Sequence, residues 1–419
     1  MAASRPKQIA AAVLANALEW YDFVVFGFLT VIIAKLFFPE ESEYSALLFT
    51  TATFGVGFVM RPIGGVVLGV YADKRGRKAA MQLIIVLMSI SLLVIVIAPP
   101  YAAIGIAAPL LIVFARLLQG FATGGQYAIA TSFLIEMAPP GRRGFYGSLQ
   151  QVGQALAALG GAAAGMFVTL GLEPAELENW GWRIPFVIGL IIAPVGFYIS
   201  RHLEETDAFL DLQNSTAKRL PLLALLRDNI RGVMVTFGLI ICGTISYYII
   251  LIYMPTFAQK QLGIAPGDAF RVQFVALTAL ALVIPVVGWL TDKIGLRPIL
   301  MTGALLLLVA LYPLFSRAHA DPTVANLLVM QVTLCCAMGI YLGGLATAVA
   351  GQFPASVRST GLSLAYNFAV MLFGGFAQFI VTWLIGTTGN PLAAAYYVMF
   401  GAVVGFFAAC FVRSEAHAS

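Results

Sequence analysis

The sequence predicts an all-α membrane protein with twelve transmembrane helices in two pseudo-symmetric six-helix bundles. Three observations carry this. Apolar residues make up 60% of the 419 residues and charged residues only 10%, whereas a soluble domain carries about 25% charged residues; mean hydropathy is +0.92. Twelve apolar runs are long enough to cross a bilayer. A polar loop pattern after the second run returns after the eighth, as two related halves require.

The runs fall at about 9–37, 45–72, 79–98, 103–135, 144–170, 183–201, 230–257, 266–291, 298–316, 323–352, 358–386 and 392–412, numbered here spans one to twelve. Their apolar character is continuous rather than alternating, which argues against a β-barrel. The four Cys, at 242, 335, 336 and 410, all sit in apolar runs, so a secreted disulfide scaffold is excluded. Span one follows Arg5 and Lys7 but carries Asn16, Glu19 and Asp22 at its centre. That is too long and too polar for a cleaved signal peptide, and it reads as a retained helix.

Orientation follows from the basic residues. With the N-terminus in the cytoplasm, cytoplasmic segments hold 17 of the 24 Lys and Arg, while Lys35, Arg183, Lys260, Arg271 and Arg317 face out. Outer loops carry acids instead, such as Glu40, Glu41, Glu43, Glu173, Glu176 and Glu178. Both termini are expected in the cytoplasm, in a bacterial inner membrane. The net charge of +5 is a topology signal and implies no nucleic-acid partner. The polar stretch Arg201 to Arg231 divides the chain into an N-terminal bundle (1–201), a cytoplasmic central loop (202–229) and a C-terminal bundle (230–419).

The repeat is specific. Gly69, Asp73, Lys74 and Gly76 return 219 residues later as Gly288, Asp292, Lys293 and Gly295. Pro139 and Arg143 return 215 residues later as Pro354 and Arg358. Paired halves suggest rocking about a central site. Asp73 can accept from backbone N–H groups at a helix start and pair with Arg of the facing half. Such contacts would hold the inner face shut, so Gly69, Asp73, Arg77, Arg143, Asp292 and Arg358 are the candidate gating residues.

Of the 19 acids, only Glu19 and Asp22 lie deep in a span; of the basic residues, only Arg61 and Arg116 do. Each such charge costs about 2.5–3.5 kcal/mol to insert. Glu19 and Asp22 are three apart and share a helix face. The expectation is that Asp22, with Glu19, pairs with Arg116 across a central cavity, and that proton uptake frees the guanidinium to hold an anion. A purely architectural trio is the alternative, and for Arg61, followed by Pro62, packing at a bent helix is the stronger reading. The three His (202, 319, 417) fall in loops or the tail. No cluster has metal-ligand spacing and no Walker loop exists. No cofactor or metal is expected, and coupling to an ion gradient is favoured over ATP. An enzyme reading has no nucleophile–base pair to rest on.

Uncharged polar residues within spans are the substrate candidates beside Arg116: Gln119 and Gln126 in span four, Gln150 and Gln154 one turn apart in span five, Tyr247 in span seven, Gln331 and Tyr341 in span ten, and Asn367 in span eleven. Gln331 lies 215 residues after Arg116, where that arginine's repeat partner would fall. Amides and phenols around one Arg suit a carboxylate. Small residues four apart, such as Gly65/Gly69 and Gly120/Gly124, let membrane helices approach closely and speak only of packing.

The loop Gly69-x3-Asp73-Lys-Arg-Gly76-Arg77-Lys78 resembles the signature of the major facilitator superfamily. Leu18-Glu19-Trp20-Tyr21-Asp22-Phe23, Arg61-Pro62-Ile-Gly64-Gly65, Arg116-Leu-Leu-Gln119-Gly120, Arg143-Gly144-Phe145-Tyr146-Gly147-Ser148 and Trp180-Gly181-Trp182-Arg183-Ile-Pro185-Phe186 together resemble the metabolite:proton symporter family. Ile33 to Glu43 is most similar to its citrate and tricarballylate branch. The resemblance implies proton coupling and anion binding through Glu19, Asp22 and Arg116, and gating through Asp73, Arg77 and Arg143. Two positions depart from the family: Gln126 follows Gly124-Gly125 where Glu is common, and Leu296 stands where a basic or small residue is usual.

The expected protein is a monomeric, lipid-embedded secondary transporter that imports a small organic carboxylate with protons by alternating access. Citrate, tricarballylate or a dicarboxylate would be the cargo; with one central Arg, a mono- or dicarboxylate fits better than a trianion. A carrier of a zwitterionic osmolyte such as proline or betaine is the alternative, made weaker by the short tail after span twelve. A transport-dead sensor or a channel is the rival of a different class.

Overall fold

In a computed structural model, the chain is described over residues 5–39, 42–75, 77–190, 194, 229–354 and 357–413. The described residues contain no strand. Among the described residues nine helices are long and apolar enough to cross a bilayer, and the bent pair Trp20–Phe28 and Thr30–Phe37 adds a tenth. The shorter apolar helices Gln82–Ile97 and Gly181–Leu190 occupy the expected places of spans three and six. The central loop 202–229 falls almost wholly outside the described residues.

Among the described residues four spans have an irregular turn near their middles. Span one bends by 68° between Phe28 and Thr30. Span four stops at Thr123 and restarts at Gln126, across Gly124 and Gly125. Spans seven and eleven pass through π-helical turns, Tyr247–Tyr253 and Val370–Gly375. Such irregular backbone is tolerated at membrane depth only where protein or a cavity surrounds it, and π-turns collect at functional sites.

The helices of the first half close on glycine. A Cβ on Gly120 would lie 1.6 Å from the carbonyl oxygen of Gly57, and one on Gly124 would lie 2.0 Å from that of Arg61. Spans two and four therefore meet backbone to backbone, with Arg61 opposite Gly124 and Arg116 opposite Gly57, about one helical turn apart. The same economy joins the halves. Phe376 of span eleven fills the space over Gly55, and Phe58 fills that over Gly375.

The two halves are also tied by polar contacts at both ends. At one end Asp292 accepts from the backbone N–H of Gly144 (2.6 Å) and Phe145 (3.0 Å), and Thr347 donates to the Arg143 carbonyl at 3.0 Å. At the other end Lys260 pairs with Glu43. Within the first half Lys35 pairs with Glu178.

Candidate substrate and coupling site

Arg116 is fully buried and Arg61 is 2% exposed. Among the described residues neither guanidinium pairs with an acid; the side chain of Glu19 lies outside them. Arg116 donates to Gln119 Oε1 at 2.6 Å, and its remaining face is aromatic, with Phe23, Phe26 and Phe54 centroids 4.6, 4.5 and 4.9 Å from its guanidinium carbon. Arg61 lies 5.3 Å from the Trp20 centroid, 4.9 Å from Phe23 and 4.3 Å from Phe58. Phe23 thus contacts both cations. Ring faces attract cations, but they supply no hydrogen-bond acceptor in the guanidinium plane. Among the described residues, Nε of Arg61 and Nε and Nη2 of Arg116 are buried without a partner. Unmade bonds of this kind are costly, and an oxyanion would supply the acceptors.

The expected Asp22–Arg116 ion pair is not formed. Asp22 is 4% exposed, and its Oδ1 has no hydrogen-bond partner among the described residues. A Cβ on Gly189 of span six would lie 2.5 Å from that oxygen. The carboxylate therefore sits in the seam of spans one and six, while Phe23 and Phe26, from the same helix, take the guanidinium. The side chains of Glu19, Asp73 and Arg77 lie outside the described residues, and Gly69 sits on the helical backbone of span two.

Beside the arginines, and sharing Trp20 with Arg61, lies a small cavity of about 30 Å³ between the halves, lined also by Tyr127, Tyr247, Tyr248, Tyr366, Gln151, Gln154 and Thr244. That is room for one or two waters. Tyr127 and Tyr366 stack across the half boundary, 3.7 Å between centroids and 4° between planes. Tyr247 donates to the Gln154 carbonyl at 3.3 Å.

The other candidates divide. Gln154 and Tyr247 line the cavity, and Gln119 holds Arg116. Gln150 faces the other way: its amide donates to Asn16 Oδ1 at 3.2 Å, and Asn16 returns a bond to the Gln150 carbonyl at 3.0 Å. The cavity-facing pair of span five is Gln151 and Gln154, three apart rather than four. Asn367 donates to the Gly124 carbonyl at 2.6 Å, bridging the halves at the break in span four, and Gln126 follows that break with a buried, unpartnered Oε1. Tyr341 donates to the Leu239 carbonyl at 2.9 Å, and Gln331 donates to Gln273 at 2.8 Å; neither lines the cavity. Arg358 donates to the Ala350 carbonyl at 3.2 Å. Gly189 went unselected in the sequence, where a glycine in an apolar span carries no signal of the acid it makes room for. Among the described residues no group of His, Cys, Asp or Glu could hold a metal ion.

The Major Facilitator Superfamily profile matches residues 12–377. A citrate-proton symporter of Klebsiella pneumoniae is 38% identical over 397 residues, 95% of this chain and 89% of its own length. One of Salmonella typhi is 35% identical, over 95% and 92%. A proline/betaine transporter of Escherichia coli is 32% identical, over 98% and 84%. A solved structure of a D-xylose-proton symporter superposes with a TM-score of 0.79 at 19% identity, covering 98% of each chain, a likeness of fold. With its helical spans, its repeated loop and this run of relatives, the chain belongs to the Major Facilitator Superfamily and is a multi-pass membrane transporter, with no sign of an enzyme.

Proposed function

We propose that the protein imports a small organic anion bearing two ionised carboxylates, of the citrate or dicarboxylate type, together with protons. One observation carries this reading: two buried guanidiniums with unpartnered N–H groups share one aromatic pocket beside the cavity between the halves. Two buried cations with no acid paired to them among the described residues favour a partner that returns two negative charges. Arg61, set aside in the sequence as packing, supplies the second cation. The citrate-proton symporters among the relatives support the same cargo class.

Proton coupling is assigned to Asp22. A buried carboxyl with an unpartnered oxygen is stable in the protonated, neutral form without a counter-charge. Loss of that proton returns a negative charge to the field of Arg116 and weakens its hold on the anion. Proton and substrate are then bound in separate seams and coupled through space. Glu19 joins Asp22 in this role on sequence grounds. Gating is assigned to Asp292, Arg143 and Arg358 at one face, with Gly69, Asp73 and Arg77 as the first-half counterpart. Both termini are assigned to the cytoplasm and the bundles to 1–201 and 230–419, joined by the loop 202–229.

The aromatic lining favours a second reading. Trp20, Tyr127, Tyr247, Tyr248 and Tyr366 around one cavity could take a quaternary ammonium by cation–π attraction, with an arginine holding the carboxylate of betaine or proline. Uptake into proteoliposomes under an inward proton gradient separates the two. Accumulation of citrate, tricarballylate or succinate, with no competition from betaine, is the expected result. Accumulation of betaine or proline, with no carboxylate uptake, would replace the first reading by the second.

A further inference from the structure

Span seven contains a proline just after its π-turn. Pro255 has no N–H. In an α-helical register that missing donor would have served the carbonyl of Leu251, four residues back; in a π register, that of Ile250, five back. Those two carbonyls are the ones that receive side-chain bonds from other spans. Gln273 Nε2 of span eight donates to the Leu251 carbonyl at 2.9 Å. Gln331 Nε2 of span ten donates to the Ile250 carbonyl and to Gln273 Oε1 at 2.8 Å. Both glutamines are almost fully buried, at 1% and 0% exposure.

We infer that Gln331 and Gln273 are positioning residues: as a linked amide pair they replace the donor that Pro255 lacks, and so hold the π-turn that aims Tyr247 and Tyr248 at the site. The turn begins at Tyr247. Its register sets Tyr247 against Trp20, 5.7 Å between centroids, and Tyr248 against Phe58 at 5.4 Å, the rings that also contact Arg61. Beyond Pro255 the helix carries Lys260, the partner of Glu43. The amide pair therefore sits at a hinge with the site on one side and the end-closing ion pair on the other. This explains why the repeat counterpart of Arg116 is an uncharged amide: it bonds to backbone, away from the cavity. The inference rests on the reading of the site above for its effect on binding, and on backbone chemistry alone for the hinge.

The test uses the full-length protein in nanodiscs and four forms: wild type, Gln331→Leu, Pro255→Ala and the double variant. Hydrogen exchange of the segment 247–261 reports the hinge, and citrate affinity reports the site. Gln331→Leu is expected to raise exchange in that segment and weaken binding by about tenfold, the worth of one buried bond. Adding Pro255→Ala restores a backbone N–H, and both readouts should return to those of Pro255→Ala alone. Loss of packing volume would not be repaired by Pro255→Ala, so absence of that rescue overturns the inference, as does unchanged exchange in Gln331→Leu. Should Gln331→Leu not fold alone, recovery of folded protein in the double variant supports the inference, and failure of both sinks it. If exchange follows the expected pattern while wild type binds no carboxylate, the reading of the site fails and the hinge stands.

Discussion

Asp292 caps a helix that belongs to the other half of the molecule. Its two carboxylate oxygens accept from the backbone N–H groups of Gly144 and Phe145, at 2.6 and 3.0 Å, at the start of the helix Arg143–Gly171. The first N–H groups of a helix have no partner within it and carry partial positive charge. A carboxylate placed there is a strong clasp between the halves.

Asp292→Asn should loosen this clasp. The amide keeps one acceptor and loses the charge, which costs about 1 kcal/mol or more at a helix terminus. Spin labels at this end of spans five and eight would report a larger population of long distances than in wild type. Gly144→Ala should have a greater effect, because the new Cβ would meet Thr291 Oγ1 at 2.0 Å and the Gly288 carbonyl at 2.6 Å. An unchanged distance distribution in both variants would remove this contact from gating.

The two arginines should separate by substrate charge. Arg116→Ala is expected to weaken carboxylate binding by about 100-fold or more, as loss of a desolvated charge contact does. Arg61→Gln should weaken citrate and dicarboxylates by about tenfold or more while leaving monocarboxylates nearly unaffected. Isothermal titration against a series of one, two and three carboxylates would show it. Equal losses across the series would reduce Arg61 to packing among Trp20, Phe23 and Phe58.

The ion pair at the opposite end gives a reciprocal test. Lys260 and Glu43 come from different halves, so Lys260→Glu should place like charges together and favour separation of that end. The exchange Glu43→Lys with Lys260→Glu should recover transport. Glu43 is largely exposed, so the single-site effect should be modest and should shrink as salt rises.

What the sequence revealed and hid follows physical scale. The spans, the repeat and the isolated charges were legible because insertion of a helix or a charge in lipid is costly enough to leave a mark in composition. Which face of a span looks inward was less legible. Gln150 and Gln154 seemed the natural pair, yet Gln150 turns to Asn16 and Gln151 joins Gln154, because a span packed on several sides has no single polar face to read. Arg61 looked like packing beside Pro62, and only the close approach of spans two and four on their glycines brings it to the Phe23 ring that Arg116 also contacts. The partner of Asp22 was misread for a similar reason: a shared helix face limits direction, and the rings of Phe23 and Phe26 compete for the same guanidinium.

Gly189 offers a way to test Asp22 without touching its charge. The carboxylate oxygen lies 2.5 Å from where a Cβ on Gly189 would stand, so the glycine makes the space in which the acid sits. Asp22→Asn keeps the shape and removes the titration; accumulation against a gradient should be lost while exchange of internal for external substrate persists. Gly189→Ala keeps the titrating group and displaces it, so accumulation should fall through a changed distance to Arg116. If both residues act through one proton site, the double variant should keep the substrate exchange of Asp22→Asn alone, since effects on a shared element do not add. A further loss of exchange in the double variant would mean that Gly189 acts through helix packing, and accumulation at wild-type levels in Asp22→Asn would take the proton site away from span one.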